Sequence, residues 1–221
     1  MPSRFSLAFF ALLVSSSALA QQADPLWKRA QDNVLASKNL VASAVSVDTV
    51  VADDRGNNVD TIHKETVLSQ SKDGQPMGSV VKMTEAKQSG LGELKFEWGV
   101  ANYPEHGLAD GTSIVRGERA LLDAKACVIF HVQGKKGKMP FTSKAWIEES
   151  TGLPLRVDYT VEGVPMAKSL TYSVLYGRDG EARWLPREVK IDAYISAFFY
   201  KMKIRSTQHL SNWVARPPSS K

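Results

Sequence analysis

Residues 144–163 read KAWIEESTGLPLRVDYTVEG. On the first arm Ala145 and Ile147 share a face. On the second, Leu155, Val157, Tyr159 and Val161 alternate without interruption against Arg156, Asp158, Thr160 and Glu162. A period of two belongs to a strand with one face in a core and the other in water. Between the arms, EESTGLP supplies turn residues. Gly152 takes a positive φ at little cost, and Pro154 fixes the backbone where the chain leaves the turn. The segment is predicted to be an antiparallel β-hairpin, its register held because a one-residue slip would put the apolar set in water.

The same period runs through most of the chain. In SAVSVDTVVADD, Val45, Val47, Thr49 and Val51 mark a half-buried strand; DDRGNN is a turn, and VDTIHKETVLSQ returns. SKDGQPMG turns into SVVKMTEAKQ. The middle is less regular: ELKFEWGV can be read as a short strand, and NYPEHGLADG has loop composition. TSIVRGERALLDAKACVIFHVQ reads as a strand, a turn around Gly117, and an apolar strand from Ala126 to Val132. Towards the end, Val189, Ile191 and Ala193 occupy odd positions, whereas Phe198, Tyr200, Met202 and Ile204 occupy even ones. A turn or a bulge must separate them, and the turn is favoured.

One segment carries a helical period. In DPLWKRAQDNVLASKNL, Asp24 suits an N-cap and Pro25 the first helical position. Leu26, Ala30, Val34 and Leu35 recur on one face to about Ser37. The expected fold is mainly β (α+β). Ten or eleven strands in hairpin succession form a meander, a strongly curved antiparallel sheet or incomplete β-barrel. The N-terminal helix, with room for a second near the middle, covers the concave face.

Residues 1–20, MPSRFSLAFFALLVSSSALA, read as a cleaved signal peptide. Arg4 supplies positive charge, Leu7 to Val14 a short apolar core, and Ala18-Leu19-Ala20 a small-x-small exit. Residues 21–221 are then expected to form a single domain, exported to the periplasm and soluble, with no stable membrane span. The only cysteine is Cys127, in the apolar run AKACVIFHV. It can make neither an internal disulfide nor a lipid anchor after the signal, and is expected as a small buried side chain. The formal charge of +5 falls to +4 once Arg4 leaves with the signal. Part of the excess sits in GKKGKMP and KMKIR; both can reach anionic surfaces, although a solvated face is the simpler account. Without an arginine-rich run, zinc finger or RNP-type motif, no nucleic-acid partner is expected.

Catalytic patterns are absent. His63, His106, His131 and His209 lie scattered without metal-ligand spacing, so no metal and no cofactor are expected. No GxSxG elbow or phosphate loop occurs, and the adjacent Glu148 and Glu149 point to opposite strand faces. The chain is therefore read as no enzyme. What it has in quantity is large apolar and amphipathic side chains on strands. Trp98, Phe130, Trp146, Tyr159, Tyr172, Phe198 and Tyr200 are the candidates to line a cavity between sheet and helix, although core packing accounts for many of them equally well.

An export signal, a helix and a run of strands together resemble the LolA/LolB-like superfamily of periplasmic lipoprotein carriers. The most specific part is AWIEESTGLPLRVDYTVEG, which looks like that superfamily's central hairpin, and LPREVKIDAYISAFFYKMKIRS is similar to its closing strands. The resemblance implies an incomplete, curved antiparallel barrel whose apolar concave face binds lipoprotein acyl chains. It implies a non-enzymatic carrier of a hydrophobic ligand, a lipid or a lipoprotein acyl chain. A periplasmic protein-interaction or envelope-sensing module with an envelope protein partner is the alternative. The missing lipid-attachment cysteine excludes an anchored, LolB-like receptor.

Overall fold

The computed structural model describes residues 24–72, 75–85, 108, 111, 113–136, 139–197 and 200–216. Within them lie one helix, α1 (Pro25–Leu35), and ten strands. These are β1 (Leu40–Asp53), β2 (Asn58–Lys72), β3 (Gln75–Glu85), β4 (Ser113–Leu122), β5 (Lys125–Lys136), β6 (Met139–Glu148), β7 (Pro154–Val161), β8 (Ala167–Arg178), β9 (Trp184–Ala197) and β10 (Tyr200–Ala215). All ten join one antiparallel sheet in the order β3-β2-β1-β10-β9-β8-β7-β6-β5-β4, which is not closed into a barrel. The reading of ELKFEWGV as a strand, and any second helix near the middle, fall outside the described residues.

The order corrects the expectation of one continuous meander. β1–β3 form one meander and β4–β10 another, sewn together by the long β1–β10 pairing from Leu40↔Ala215 to Asp53↔Met202. The chain leaves β3 at one edge of the sheet and re-enters as β4 at the other. A short turn cannot make that crossing, and the period of individual strands carries no information about it.

Residues 144–163 form the β6–β7 hairpin, with Phe141↔Val161, Ser143↔Tyr159 and Ala145↔Val157 in register. Gly152 has φ +74°, and its N–H donates to Glu148 O at 2.9 Å. The phase change before Phe198 is a hairpin turn: Ala197 pairs with Tyr200 at the head of the β9–β10 ladder. Gly117, however, marks no turn. β4 runs through it with a bulge between Arg116 and Arg119, and the chain reverses at Asp123 and Ala124, both with positive φ. Glycine is used at 117 for proximity, since a Cβ there would meet His131 Nε2 at 2.8 Å.

Helix α1 is capped as its sequence predicts. Asp24 Oδ1 accepts from the backbone N–H of Leu26 (2.8 Å) and Trp27 (3.3 Å), and Oδ2 accepts from Arg116 Nη1 of β4 (2.9 Å). Burial alone would raise the Asp24 carboxyl, but these hydrogen bonds outweigh it and hold the group below its ordinary value. The buried stripe is Leu26, Trp27, Ala30 and Val34; Leu35 faces solvent and the helix ends there. Eleven residues make a marginal helix alone, so tertiary burial stabilises it, at roughly 1.5–3 kcal/mol for each large apolar side chain.

Candidate functional site

Cross-strand partners share a face, so the register divides the side chains of the sheet into two sets. One face carries α1. Across it run Phe130, Ala145, Val157, Val174, Val189, Gln208 and Val47, strand by strand. The neighbouring row is Ser143, Tyr159, Tyr172, Ile191, Ser206 and Thr49. A third contains Leu170, Ala193, Ile204 and Val51. Most of these side chains belong to one core cluster with the α1 stripe, and Leu108 joins it from the β3–β4 connection.

Helix α1 lies over the part of this face that runs from β5 and β6 towards β9. The rings of Trp27 and Phe130 are 5.3 Å apart and tilted by 49°. Asn33 Nδ2 donates to Gly152 O at 3.3 Å, and a Cβ on Gly152 would sit 2.8 Å from Arg29 Cβ. Gly152 therefore serves both the turn and the close approach of the helix. Among the described residues the buried Trp27 indole Nε1 has no hydrogen-bond partner, and a buried donor left unpaired costs about 1–3 kcal/mol.

The middle row gives this face its amphipathic character. Tyr159 and Tyr172 stack with ring centroids 4.6 Å apart and planes within 7°. Burial pushes both phenols above the ordinary tyrosine value, with Tyr172 and Tyr176 pushing Tyr159 further. Both hydroxyls therefore stay neutral. Thr49 Oγ1 and Ser206 Oγ lie 3.0 Å apart, and Ser143, Ser206 and Gln208 are buried. Hydroxyl and amide groups thus punctuate an otherwise apolar layer. Such a layer can hold an apolar body while offering a few hydrogen bonds to its polar end.

Of the seven aromatic residues singled out from sequence, Phe130, Tyr159 and Tyr172 come together on the helix-covered face. Trp146 does not. It pairs with Ile129 and Arg156 on the outer face, where the Arg156 guanidinium lies 5.3 Å from its ring centroid. Its position between Ala145 and Ile147, both assigned to the core face, was the signal that separates it. Tyr200 opens β10 opposite Ala197, while Trp98 and Phe198 lie outside the described residues. Sequence reasoning missed Trp27 and the buried Ser143, Ser206 and Gln208, which interrupt the apolar set at core-face positions.

The other candidates each have a local partner. Cys127 is fully buried, its Sγ donating to Ala120 O at 3.3 Å, and burial raises the thiol. His131 faces Glu118 at 3.5 Å beside Gly117. Glu149 pairs with Arg119 at 2.7 Å and Glu148 with Lys125 at 3.4 Å. Among the described residues no group of three His, Cys, Asp or Glu is placed to hold a metal ion, and no helix is long and apolar enough to cross a membrane.

No family model matches the chain, and no curated protein matches it. Solved structures match it at low identity. One is a DUF1329 family protein from Desulfovibrio piger, 12% identical, with 88% of this chain and 93% of that chain covered and a TM-score of 0.40. Another, from Vibrio parahaemolyticus, is described as an outer membrane lipoprotein-sorting protein domain: 6% identical, 88% and 94% covered, TM-score 0.40. A third is the MucA/MucB complex of Pseudomonas aeruginosa, 10% identical, 88% and 100% covered, TM-score 0.26. At these identities and TM-scores they set no family for the chain.

Proposed function

We propose that this protein is an exported, non-enzymatic binder of an apolar ligand, a lipid or lipoprotein acyl chain, held on the helix-covered face of the sheet. Residues 1–20 are its export signal and residues 21–221 its single domain. The observation that carries the reading is the mismatch between sheet and helix. Ten strands at about 4.8 Å spacing span roughly 43 Å. Helix α1, with eleven residues, is only about 16 Å long. Among the described residues, the apolar rows continue from Phe130 to Val47 and from Leu170 to Val51, further than the length of this helix, and Ile191, Ile204, Ser206 and Gln208 on or between them are buried. Neutral Tyr159 and Tyr172, with Ser143 nearby, suit the carbonyl end of an acyl chain.

The test is to purify the protein from its native envelope, extract it with organic solvent and identify the extract by mass spectrometry. A lipid or acylated species near one per protein is expected. Protein that is fully folded and free of apolar small molecules, and that does not take up a fluorescent fatty acid, would contradict the reading.

A second reading, an interaction or envelope-sensing module, is favoured by the sheet edges. Val81 and Met83 on β3, and Val115 and Leu121 on β4, are large apolar side chains more than half exposed. Among the described residues β3 and β4 are the two edges of the sheet, and an edge is where a partner strand adds. Recovery of a defined envelope protein in stoichiometric complex, lost on Val115→Lys or Val81→Lys, would support this reading over a carrier.

A further inference from the structure

The basic segment KMKIR, residues 201–205, plays no part in the apolar face. Its alternation sends Met202 and Ile204 into the core and Lys201, Lys203 and Arg205 to the outer face. There the register sets Lys203 beside Tyr194, Ala52 and, one strand on, Asn58. Tyr194 in turn pairs with Ser169. The adjacent row holds Thr171, Asp192, Arg205 and Val50. Between the two rows lies a groove of about 410 Å³, with Gly56 of the β1–β2 turn at its rim.

The chemistry of its walls is one-sided. Lys203, Arg205, Ser169, Thr171 and Asn58 all bring hydrogen-bond donors. The carboxylate that lines it, Asp192, is taken up by Arg205, whose Nε donates to Oδ1 at 3.2 Å; among the described residues the rest of the guanidinium has no partner. Among the described residues no partner holds the Lys203 ammonium. Lys168 stands at the margin with its ammonium 5.6 Å from the Tyr194 ring centroid, and Lys201 lies two residues from Lys203 along β10. The Asp53 carboxylate in the nearby turn is occupied by Asn57 through N–H bonds of 2.8 and 2.9 Å. A concavity with open cations, hydroxyls and an amide is built for an anion with several acceptor oxygens.

We infer that this outer-face groove is a binding site for a phosphate-bearing group, either a lipid headgroup or a free phosphate ester, with Lys203 and Arg205 as its principal ligands. Its volume lies within the range of small-molecule sites and accommodates a glycerol phosphate or a sugar phosphate. It is on the opposite face from the apolar layer, so it does not depend on that layer's ligand. Binding here is screened by salt, because every charge in the groove is open to solvent.

The experiment titrates the purified protein with glycerol 3-phosphate and with glycerol by calorimetry. In parallel it measures co-sedimentation with vesicles of phosphatidylglycerol and of phosphatidylcholine. Saturable, salt-sensitive binding of glycerol 3-phosphate or of phosphatidylglycerol vesicles is expected, with none of glycerol or phosphatidylcholine vesicles. Binding of the soluble ester alone assigns a free phosphate ester; binding of vesicles, with or without the ester, assigns the headgroup. Lys203→Glu and Arg205→Gln should each weaken it at least about tenfold, the equivalent of about 1.4 kcal/mol. Lys144→Glu makes the Lys203→Glu charge change elsewhere on the outer face and should leave binding within about twofold, at an affinity change below that threshold. Unchanged circular dichroism and melting of the variants show that the fold is intact. Absence of binding to both probes, or equal loss in Lys203→Glu and Lys144→Glu, would overturn the assignment.

Discussion

His63 shows how much one side chain can tie together. Its Nδ1 lies 2.7 Å from Asp48 Oδ1 on β1, and its Nε2 lies 3.1 Å from Glu65 Oε1, which also receives Lys82 Nζ of β3 at 3.2 Å. With a carboxylate at each ring nitrogen, the imidazolium is the form that satisfies both. The hydrogen bond to Asp48, then that to Glu65, raises His63 above its ordinary 6.5. A group raised in the folded state stabilises fully below its unfolded value, and that contribution fades as pH rises through the folded value. The β1–β3 side of the sheet should therefore lose protection between about pH 6.5 and the raised midpoint. Histidine titration by NMR should place His63 above 6.5, and Asp48→Asn should lower it. A midpoint at or below the ordinary value would show that the clamp does not form in solution.

At the scale of elements, the β6–β7 hairpin is the anchor of α1, and Gly152 is where the two meet. Two glycines with positive φ allow that contact to be weighed. Gly163, at φ +71°, has open space where a Cβ would go, whereas Gly152, at +74°, has Arg29 Cβ at 2.8 Å. Gly163→Ala should cost about 1–2 kcal/mol, the ordinary left-handed penalty. Gly152→Ala should cost about 2–4 kcal/mol, because the helix must also shift. Denaturant unfolding of the two variants measures the difference, and equal costs would mean that α1 does not rest on the turn.

The same elements show what the sequence made legible. Strict alternation in residues 154–161 gave the hairpin and its buried face, and the opposed parities of Ile191 and Ile204 gave the β9–β10 turn. Gly117 misled because glycine marks both turns and close approaches. The true reversal at Asp123 and Ala124 uses an alanine at φ 61°, which sequence patterns do not signal. Leu35 misled for a different reason: Trp27, one step along from Leu26, completes the buried stripe and leaves Leu35 outside it. Of the aromatic candidates, parity alone separates Trp146 from Ala145 and Ile147. The strand order β3-β2-β1-β10 was not legible, because it depends on pairings between segments far apart in the chain.

For the whole molecule, the two faces of one open sheet divide the chemistry. The helix-covered face is apolar with buried hydroxyls; the outer face is charged, with a donor-rich groove between β1, β8, β9 and β10. A carrier needs this division, since one surface must hold an acyl chain away from water while the other stays hydrated. The central claim is that the ligand lies on the helix-covered face, and a photoactivatable fatty acid tests it most directly. After irradiation, residue-resolved mass spectrometry should place the label on Phe130, Val157, Tyr159 or Tyr172, near one per protein. Label on Trp146, Arg156 or Asp158 of the outer face, or no saturable label in folded protein, would contradict the account.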